Sequence, residues 1–263
     1  MTNFFTGSKP RLFAHRGASG EAPENTLVAF RRAANIGVSY VELDVHATHD
    51  GQIVVIHDET LERTTNGKGK VQEYTLAELR QLDAGYWFST DTQQFPFRAA
   101  GVRIPTLAEV LREFPQLKFT VEIKQVEPPI EESVTTVVRD CGRAEDVILA
   151  SEHDRVISRV RTLAPDIATS FATGDVVDFI QRVSTGQLAE YRPAGLALQI
   201  PPKFHEVPLV TAETVTAAHA LGLEIHVWTI NEPQEMERLL DLGVDGIMSD
   251  FPGRLREVVR RRS

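Results

Sequence analysis

The sequence predicts a (β/α)8 barrel, an α/β fold, from its length and from the order of its elements. The chain has 263 residues, close to the roughly 250 that one such barrel needs. Short runs of strand character alternate with amphipathic helical patterns along most of this length. A doubly wound sheet has the same alternation, but no GxGxxG fingerprint in the sequence supports it.

Eight strand candidates occur along the chain, and most are followed by a helical pattern. The strand candidates end at His15, Val45, Lys124, Ser151, Ala172, Ile200, Thr229 and Ser249. Helical patterns cover Glu24–Ile36, Pro129–Cys141, Glu152–Leu163, Thr211–Leu221 and Glu232–Leu242. This order of elements predicts a parallel barrel surrounded by helices.

The run at residues 53–58 follows the second strand with no helix between them. The Asp-Gly pair at 50–51 is a strong signal for a two-residue hairpin turn, so the run should pair antiparallel with the second strand. This turn places His57 directly opposite Asp44, on the same face of the hairpin. Glu42 precedes Asp44 by two residues and shares that face. The hairpin therefore predicts that these three side chains lie together.

Residues 59–104 leave the alternating pattern and are far longer than a usual βα loop. They contain a turn-rich run, a capping-box helix at Thr75–Glu78 and an aromatic segment at residues 86–98. A second capping box at Thr106–Glu109 marks the return of the barrel pattern. We predict a single barrel domain over residues 1–263, with an inserted subdomain at 59–104 after the second-strand hairpin.

Composition and charge argue against several classes of protein. The net charge of −9 disfavours a nucleic-acid partner, and the single cysteine, Cys141, excludes an internal disulfide. The first residues lack the features of a signal peptide, and no apolar run approaches the ~18–20 residues that span a bilayer. We expect a cytoplasmic protein without a nucleic-acid partner or stable membrane association, and the oligomeric state stays open.

Functional side chains in such barrels come from the C-terminal ends of the strands. Charged pairs stand at three of these ends, namely His15 with Arg16, Glu42 with Asp44, and Glu122 with Lys124. One charged strand end indicates only exposure to solvent. Three pairs at the same end of one barrel indicate a functional site.

Glu42, Asp44 and Glu122 form a set of oxygen ligands. Three converging carboxylates repel one another unless a cation lies between them. Ligands that are all oxygen suit Mg²⁺ or Ca²⁺, with Mn²⁺ as a further candidate. Ion pairs with Arg16 and Lys124 are the alternative, but two cations leave three carboxylates short of positive charge. The sequence therefore favours one divalent metal ion.

His15 and His57 are the candidate proton carriers, because a neighbouring carboxylate orients an imidazole and tunes its pKa near neutrality. Arg16 and Lys124 add positive charge beside the predicted metal. This combination suits a phosphodiester, whose phosphoryl oxygens gain charge as one imidazole takes a proton and the other gives one. His226 lies deeper in its strand and is interpreted as a core histidine.

At these positions the sequence resembles the glycerophosphodiester phosphodiesterase family. The matching motifs run in the family's order and cover nearly the full chain. They are His15-Arg16-Gly17, Pro23-Glu24-Asn25-Thr26, Glu42-Leu43-Asp44, His57-Asp58, the segment from Arg63, Glu122-Ile123-Lys124, Val227 to Asn231, Gly243 to Gly246, and Ser249 to Pro252.

The resemblance implies a metal-dependent barrel that cleaves small glycerophosphodiesters into sn-glycerol 3-phosphate and an alcohol. By the family's pattern, the metal ligands are Glu42, Asp44 and Glu122, the acid and base are His15 and His57, the phosphate is held by Arg16 and Lys124, and the residue beside the glycerol is Trp228. Family mechanisms are drawn with the glycerol 2-hydroxyl attacking phosphorus to give a cyclic phosphate that water then opens. Direct attack by water fits the same residues.

Other functions stay open at this stage. A lysophospholipase D-like or phosphoinositide-cleaving enzyme would use the same residues, and the aromatic segment favours it, although we interpret those aromatics as a small core beneath the insertion. A catalytically inactive phosphodiester-binding barrel is opposed by the presence of both histidines and all three carboxylates. An aldolase barrel would need a Schiff-base lysine in an apolar setting, which Lys124 beside Glu122 does not provide.

Overall fold

In the computed structural model, which describes residues 4–262, eight parallel strands form a ring and confirm the predicted (β/α)8 barrel. The strands lie in the order β6-β5-β4-β2-β1-β11-β10-β7. Backbone hydrogen bonds from Leu196 N to Thr169 O (2.9 Å) and from Phe171 N to Ala197 O (3.0 Å) join the two end strands of this series. The bounds of the strands are β1 Arg11–His15, β2 Tyr40–Ala47, β4 Lys118–Ile123, β5 Val147–Ala150, β6 Ala168–Thr169, β7 Ala197–Ile200, β10 Glu224–Val227 and β11 Gly246–Ser249.

Helices surround the ring, and their apolar faces pack against the strands. Phe30 of α1 is fully buried, and such burial stabilises the fold by about 2 kcal/mol. The predicted helix from residue 24 begins only at Leu27, because Thr26 caps it by accepting a hydrogen bond from Ala29 N. The helices around the ring are α1 Leu27–Ile36, α3 Leu107–Glu113, α4 Glu131–Asp140, α5 Asp154–Leu163, α6 Thr173–Thr185, α7 Ala212–Ala220, α8 Pro233–Asp241 and α9 Pro252–Arg262.

The hairpin after β2 has a different register from the one predicted. Strand β3 (Ile53–Val55) pairs antiparallel with β2, with Val45 opposite Val55, so the predicted pairing of His57 with Asp44 is wrong by one residue. The loop contains three residues because Thr48 N donates to Gln52 O (2.9 Å) and Gly51 adopts a left-handed φ of 77°. Because β3 ends at Val55, the pleat does not fix the orientation of His57.

Residues 59–104 fold over this hairpin. They include a 3₁₀ helix at Val71–Glu73 and the short helix α2 at Leu76–Leu79, which begins at the predicted capping box. A separate apolar cluster joins them to the barrel and contains Val54, Ile56, Leu61, Val71, Leu79, Ala84, Val102 and Ile104. The division of the chain into one domain with an inserted subdomain remains our prediction.

The aromatic segment does not form a core as a whole. Phe97 packs against the apolar cluster, whereas Tyr86, Trp87 and Phe95 surround the guanidinium of Arg98 at 4.2, 5.3 and 3.9 Å from their ring centroids. The Trp87 side chain remains half exposed. The interpretation as a small core therefore holds for Phe97 and not for the rings around Arg98.

A second hairpin follows β7, made of β8 (Lys203–Phe204) and β9 (Val207–Pro208). Phe204 lies opposite Val207, and both side chains are more than half exposed. Among the described residues 4–262, none of the helices has the length and apolar character that crossing a bilayer requires.

Candidate active site

Three carboxylates meet at the C-terminal end of β2 and β4. Glu42 and Asp44 share one face of β2, and the parallel register of the two strands places Glu122 beside Asp44. One oxygen from each carboxylate lies within 4.8 Å of the others. Glu42 and Asp44 are almost fully buried, and Glu122 is partly exposed. The structure thus brings together the three residues predicted to bind metal.

The negative charge of this carboxylate cluster is only partly neutralised by the neighbouring cations. Burial and the charge of Asp44 raise the pKa of Glu42 to about 8. Burial also raises the pKa of Glu122, despite the nearby ammonium of Lys124. Burial acts in the same direction on Asp44, but the charges of Arg16 and Lys124 outweigh it and lower its pKa. The cluster therefore holds more negative charge than its two cations stabilise.

Arg16 and Lys124 form the ion pairs that were the alternative to metal binding. The Nε atom of Arg16 lies 3.2 Å from Asp44 Oδ2, and its backbone N–H donates to Glu42 Oε2 (3.1 Å). The Nζ atom of Lys124 lies 2.8 Å from Glu122 Oε1 and 3.4 Å from Asp44 Oδ1. Both cations therefore lie directly beside the carboxylates.

His15 lies at the end of β1, beside Glu42 in the parallel register. Its Nδ1 is 2.7 Å from Asp250 Oδ1, and its Nε2 is 3.9 Å from Glu42 Oε2. Burial disfavours the charged imidazole, but the hydrogen bond to Asp250 and the charge of Glu42 outweigh it and raise the pKa of His15. The ring is thus anchored through Nδ1, and Nε2 points toward the carboxylate cluster.

His57 reaches the same region from the segment after β3. Its Nδ1 lies 2.6 Å from Asp58 Oδ1, so the two imidazoles share the same type of anchor. Arg63 donates to both oxygens of Asp58. Burial would raise the pKa of Asp58, but hydrogen bonds from Arg63 and His57 lower it to about 2. His57 lies near Asp44, although the two residues are not paired in the hairpin.

The Pro-Glu-Asn-Thr turn between β1 and α1 supports the carboxylates and the cations. Asn25 donates through Nδ2 to Asp44 Oδ2 (2.9 Å). Glu24 accepts hydrogen bonds from Arg16 (3.0 Å) and from Arg63 (2.7 and 2.8 Å). Gly17 has a φ of 82°, and a Cβ there would lie 2.7 Å from that of Ala29, so only glycine allows the turn to pack on α1.

Trp228 follows β10 at the same end of the barrel. Its backbone N–H donates to Ile200 O at the end of β7 (3.2 Å), and its side chain is 39% exposed. The indole is therefore accessible to a ligand at the barrel mouth. His226, two residues earlier, is fully buried and pairs with Glu224 (3.1 Å), as expected for a core histidine.

Sequence reasoning gave no role to the residues that hold the two imidazoles. Asp250, Asn231 and Ser19 support His15, and Arg63 with Asp58 supports His57. Most of them lie within the motifs that resemble the family, but the sequence does not indicate which side chains they contact. Asp250 and His15 are 235 positions apart, and only the closed barrel brings them into contact.

The sequence model of the glycerophosphoryl diester phosphodiesterase family matches residues 15–254. The chain belongs to this family. The prediction of an enzyme, a glycerophosphodiester phosphodiesterase, is confirmed by this membership.

Individual relatives of the family resemble the chain over nearly its whole length. A glycerophosphodiester phosphodiesterase from Caldanaerobacter subterraneus subsp. tengcongensis is 36% identical over 264 residues, covering 96% of this chain and 99% of the relative. The structure of an Oleispira antarctica phosphodiesterase in complex with the product sn-glycerol-3-phosphate has a TM-score of 0.76 at 27% identity, covering 95% of this chain and 97% of that one. A lysophospholipase D from Rattus norvegicus is 28% identical, with 96% of this chain and 87% of the relative covered.

Proposed function

We propose that the protein hydrolyses water-soluble glycerophosphodiesters to sn-glycerol 3-phosphate and an alcohol, with one divalent cation and two histidines as acid and base. The observation that carries this proposal is the arrangement of two carboxylate-anchored imidazoles, His15 and His57, around a buried carboxylate cluster. The Oleispira antarctica relative, whose structure contains sn-glycerol-3-phosphate, supports the same product.

The residues present fit a metal ion. Glu42, Asp44 and Glu122 offer only oxygen ligands, and Asp44 Oδ1 is buried and accepts no hydrogen bond, although Lys124 Nζ lies 3.4 Å away. The raised pKa of Glu42 means that its charged form needs more positive charge than Arg16 and Lys124 provide. Oxygen ligands of this kind suit Mg²⁺, Ca²⁺ or Mn²⁺. When bound, a divalent cation supplies charge neutralisation for the phosphoryl oxygens.

The two histidines would carry the protons. The attacking hydroxyl, from the glycerol C2 position or from water, loses its proton to one imidazole as the new P–O bond forms. If the glycerol hydroxyl attacks, the product is a cyclic phosphate, and water opens it in a second step to give sn-glycerol 3-phosphate. The other imidazole donates a proton to the leaving alkoxide as the second P–O bond breaks. Each ring is held at Nδ1 by a carboxylate, His15 by Asp250 and His57 by Asp58, so Nε2 is the nitrogen available for transfer.

Arg16 and Lys124 would bind the phosphate. Both lie within 3.4 Å of Asp44, so their charges are concentrated where the three carboxylates meet. A guanidinium and an ammonium so placed stabilise negative charge that develops on phosphoryl oxygens. Trp228 would form the apolar wall beside the glycerol carbons, which its partly exposed indole allows.

A lysophospholipase D activity is the second candidate. The rat relative carries this name, and three exposed apolar side chains, Phe204, Val207 and Trp228, follow adjacent strands at the site's end of the barrel. Such side chains would suit an acyl chain.

A cytoplasmic location remains our prediction.

A product assay over a panel of substrates tests the substrate class. We expect glycerophosphocholine, glycerophosphoethanolamine and glycerophosphoglycerol to release glycerol 3-phosphate much faster than lysophospholipids release their products. Faster turnover of a lysophospholipid than of every glycerophosphodiester would reverse the choice between the two candidates. An analogue without the glycerol 2-hydroxyl tests the nucleophile, because it should react poorly if that hydroxyl attacks phosphorus, and equal rates for the analogue and its parent would exclude the cyclic route.

Chelation tests the metal. Activity should disappear after exhaustive treatment with a chelator and return with Mg²⁺, Mn²⁺ or Ca²⁺. Glu42→Ala and Glu122→Ala should weaken metal binding measured by calorimetry, while circular dichroism shows a folded barrel. Glu132→Ala is the matched control, since this glutamate is exposed on α4, the helix after β4. Full activity in protein that contains no metal by elemental analysis would contradict the proposal.

A further inference from the structure

We propose that Asn231 and Asp250 are positioning residues that fix the neutral tautomer of His15, so that Nε2 carries no proton and can accept one. The inference extends the proposed function, and it rests on that function only for the role of His15 in proton transfer. The tautomer is set by a chain of hydrogen bonds that begins at two backbone N–H groups after β11 and passes through the side chain of Asn231.

The hydrogen bond between Asp250 and His15 has a direction that the charge of the carboxyl determines. Burial would raise the pKa of Asp250, but hydrogen bonds from His15, Asn231 and Ser19 lower it to about 2, so this carboxyl is ionised. An ionised carboxylate only accepts hydrogen bonds. The 2.7 Å contact between its Oδ1 and His15 Nδ1 therefore requires the proton on Nδ1.

The orientation of the Asn231 amide is fixed by the donors around its oxygen. Its Oδ1 accepts from the backbone N–H of Asp250 and from Ser249 Oγ, both at 3.0 Å. Ser249 Oγ itself accepts from the backbone N–H of Phe251 (3.1 Å), which directs the hydroxyl proton toward Asn231. Backbone N–H groups can only donate, so the amide cannot be reversed without losing these bonds. Its Nδ2 must therefore face Asp250 Oδ2, at 2.7 Å.

Replacing Asp250 with asparagine should reverse the tautomer of His15. The new amide must present its oxygen to Asn231 Nδ2, since two NH2 groups cannot face each other. Its own NH2 group then faces His15 Nδ1 and Ser19 Oγ. Ser19 can accept from it, because the serine hydroxyl can donate to His15 O (2.7 Å) instead. The substitution therefore forces the opposite tautomer, with the proton on Nε2.

Nitrogen NMR of the full-length protein at alkaline pH measures the tautomer directly. Wild-type protein should show His15 protonated on Nδ1, with the signal identified by its loss in His15→Ala. Asp250→Asn should show protonation on Nε2 and a kcat lower by about 10²–10⁴-fold, with KM little changed, because an imidazole in the wrong tautomer cannot accept the proton. Thermal unfolding verifies that the variant is folded.

A second substitution should reverse the effect. In Asp250→Asn/Asn231→Asp, the carboxylate at position 231 accepts from the backbone and from the new amide, which then turns its oxygen to His15 Nδ1. We expect the Nδ1-protonated signal to return and kcat to rise at least about tenfold over Asp250→Asn. Asn231→Asp combined with Asp250→Ala is the matched control, and no recovery is expected there because nothing connects position 231 to the imidazole.

The outcomes separate this inference from the proposed function. Protonation of His15 on Nε2 in wild-type protein would overturn the inference, whatever the variants do. So would an unchanged tautomer in Asp250→Asn, or a double variant that leaves the tautomer reversed. If the tautomer changes as expected while kcat stays at the wild-type value, the inference stands and the role of His15 in proton transfer is wrong.

Discussion

At the scale of single residues, the two imidazoles differ in how their carboxylate partners are held. Asp250 receives hydrogen bonds from the neutral side chains of Ser19 and Asn231. Asp58 is instead paired with the guanidinium of Arg63, which neutralises it. Among the ion pairs of the described residues, none joins Asp250 to an arginine or a lysine. His15 therefore faces a carboxylate that no such cation neutralises. The two rings are anchored alike but sit in different electrostatic surroundings.

This arrangement predicts separate effects for proton transfer and for metal binding. His15→Ala and His57→Ala should each lower kcat by about 10²–10⁴-fold, because each removes a proton carrier. Metal affinity, measured by titration calorimetry, should stay close to wild type. His219→Ala is the control, since His219 pairs with Asp245 (2.9 Å) near the start of β11 and should leave turnover unchanged. Wild-type turnover in His57→Ala would remove this residue from the mechanism.

The sequence could predict the members of the site but not their supports. Charged residues at strand ends are visible in the sequence because the C-terminal ends of parallel strands meet at one rim. The contact of Asp250 with His15 depends on closure of the ring, which no local pattern encodes. The expected place of His57 beside Asp44 depended on a hairpin register that is wrong by one residue. His57 still lies at the site because β3 ends before it, so the strand register does not set the direction of its side chain.

At the scale of elements, short side chains at turns decide where strands and helices begin. The hairpin after β2 gains its third loop residue because Thr48 Oγ1 accepts from Gln52 N (2.9 Å) and donates to Asp50 Oδ1 (2.6 Å). An Asp-Gly pair by itself predicts a two-residue turn. The hydroxyl of Thr48, which lies outside the Asp-Gly pair, thus selects a three-residue loop over a two-residue turn. This explains why the predicted hairpin register is wrong by one residue.

Thr26 likewise determines where α1 begins, because its hydroxyl caps the helix. Its hydroxyl accepts from Ala29 N (3.3 Å) and donates to Pro23 O (2.6 Å). Thr26→Ala should lower the free energy of unfolding in urea by about 1 kcal/mol, the usual cost of losing an N-cap. It should also lower kcat, because the turn that it holds carries Asn25 against Asp44. Thr26→Ser should keep both values near wild type.

The matched control is Thr216→Ala, which removes an exposed threonine from the interior of α7. Alanine has the higher helix propensity, so the free energy of unfolding should change by no more than about 0.5 kcal/mol. Equal losses of stability in the Thr26 and Thr216 variants would show that the hydroxyl of Thr26 does not act as a cap.

At the scale of the whole molecule, buried charges occupy both ends of the barrel. The C-terminal end holds the carboxylate cluster with its raised pKa at Glu42. The N-terminal end holds a balanced network, in which Glu224 at the start of β10 pairs with Arg11 (3.1 Å), Lys9 (3.4 Å) and His226 (3.1 Å). The carboxylate cluster at the C-terminal end is suited to binding further positive charge. The network at Glu224 is suited to holding the strands together.

The network at Glu224 predicts how stability depends on pH. Burial would raise the pKa of Glu224, but hydrogen bonds from His226 and Arg11 lower it to about 2 from the ordinary 4.5. A carboxyl with a lowered pKa stabilises the fold above its unfolded pKa, and this contribution is lost as pH falls toward the folded value. Glu224→Gln should therefore reduce the free energy of unfolding by about 1–3 kcal/mol at pH 7.

Below pH 4.5 the difference between wild type and Glu224→Gln should shrink, because a protonated glutamate resembles glutamine in shape and charge. Urea unfolding of both proteins between pH 7 and pH 3 measures it. Activity at pH 7 and 25 °C should be unchanged, since Glu224 lies at the start of its strand and the catalytic side chains lie at the strand ends. A difference in stability that stayed constant down to pH 3 would mean that the charge of Glu224 does not stabilise the barrel.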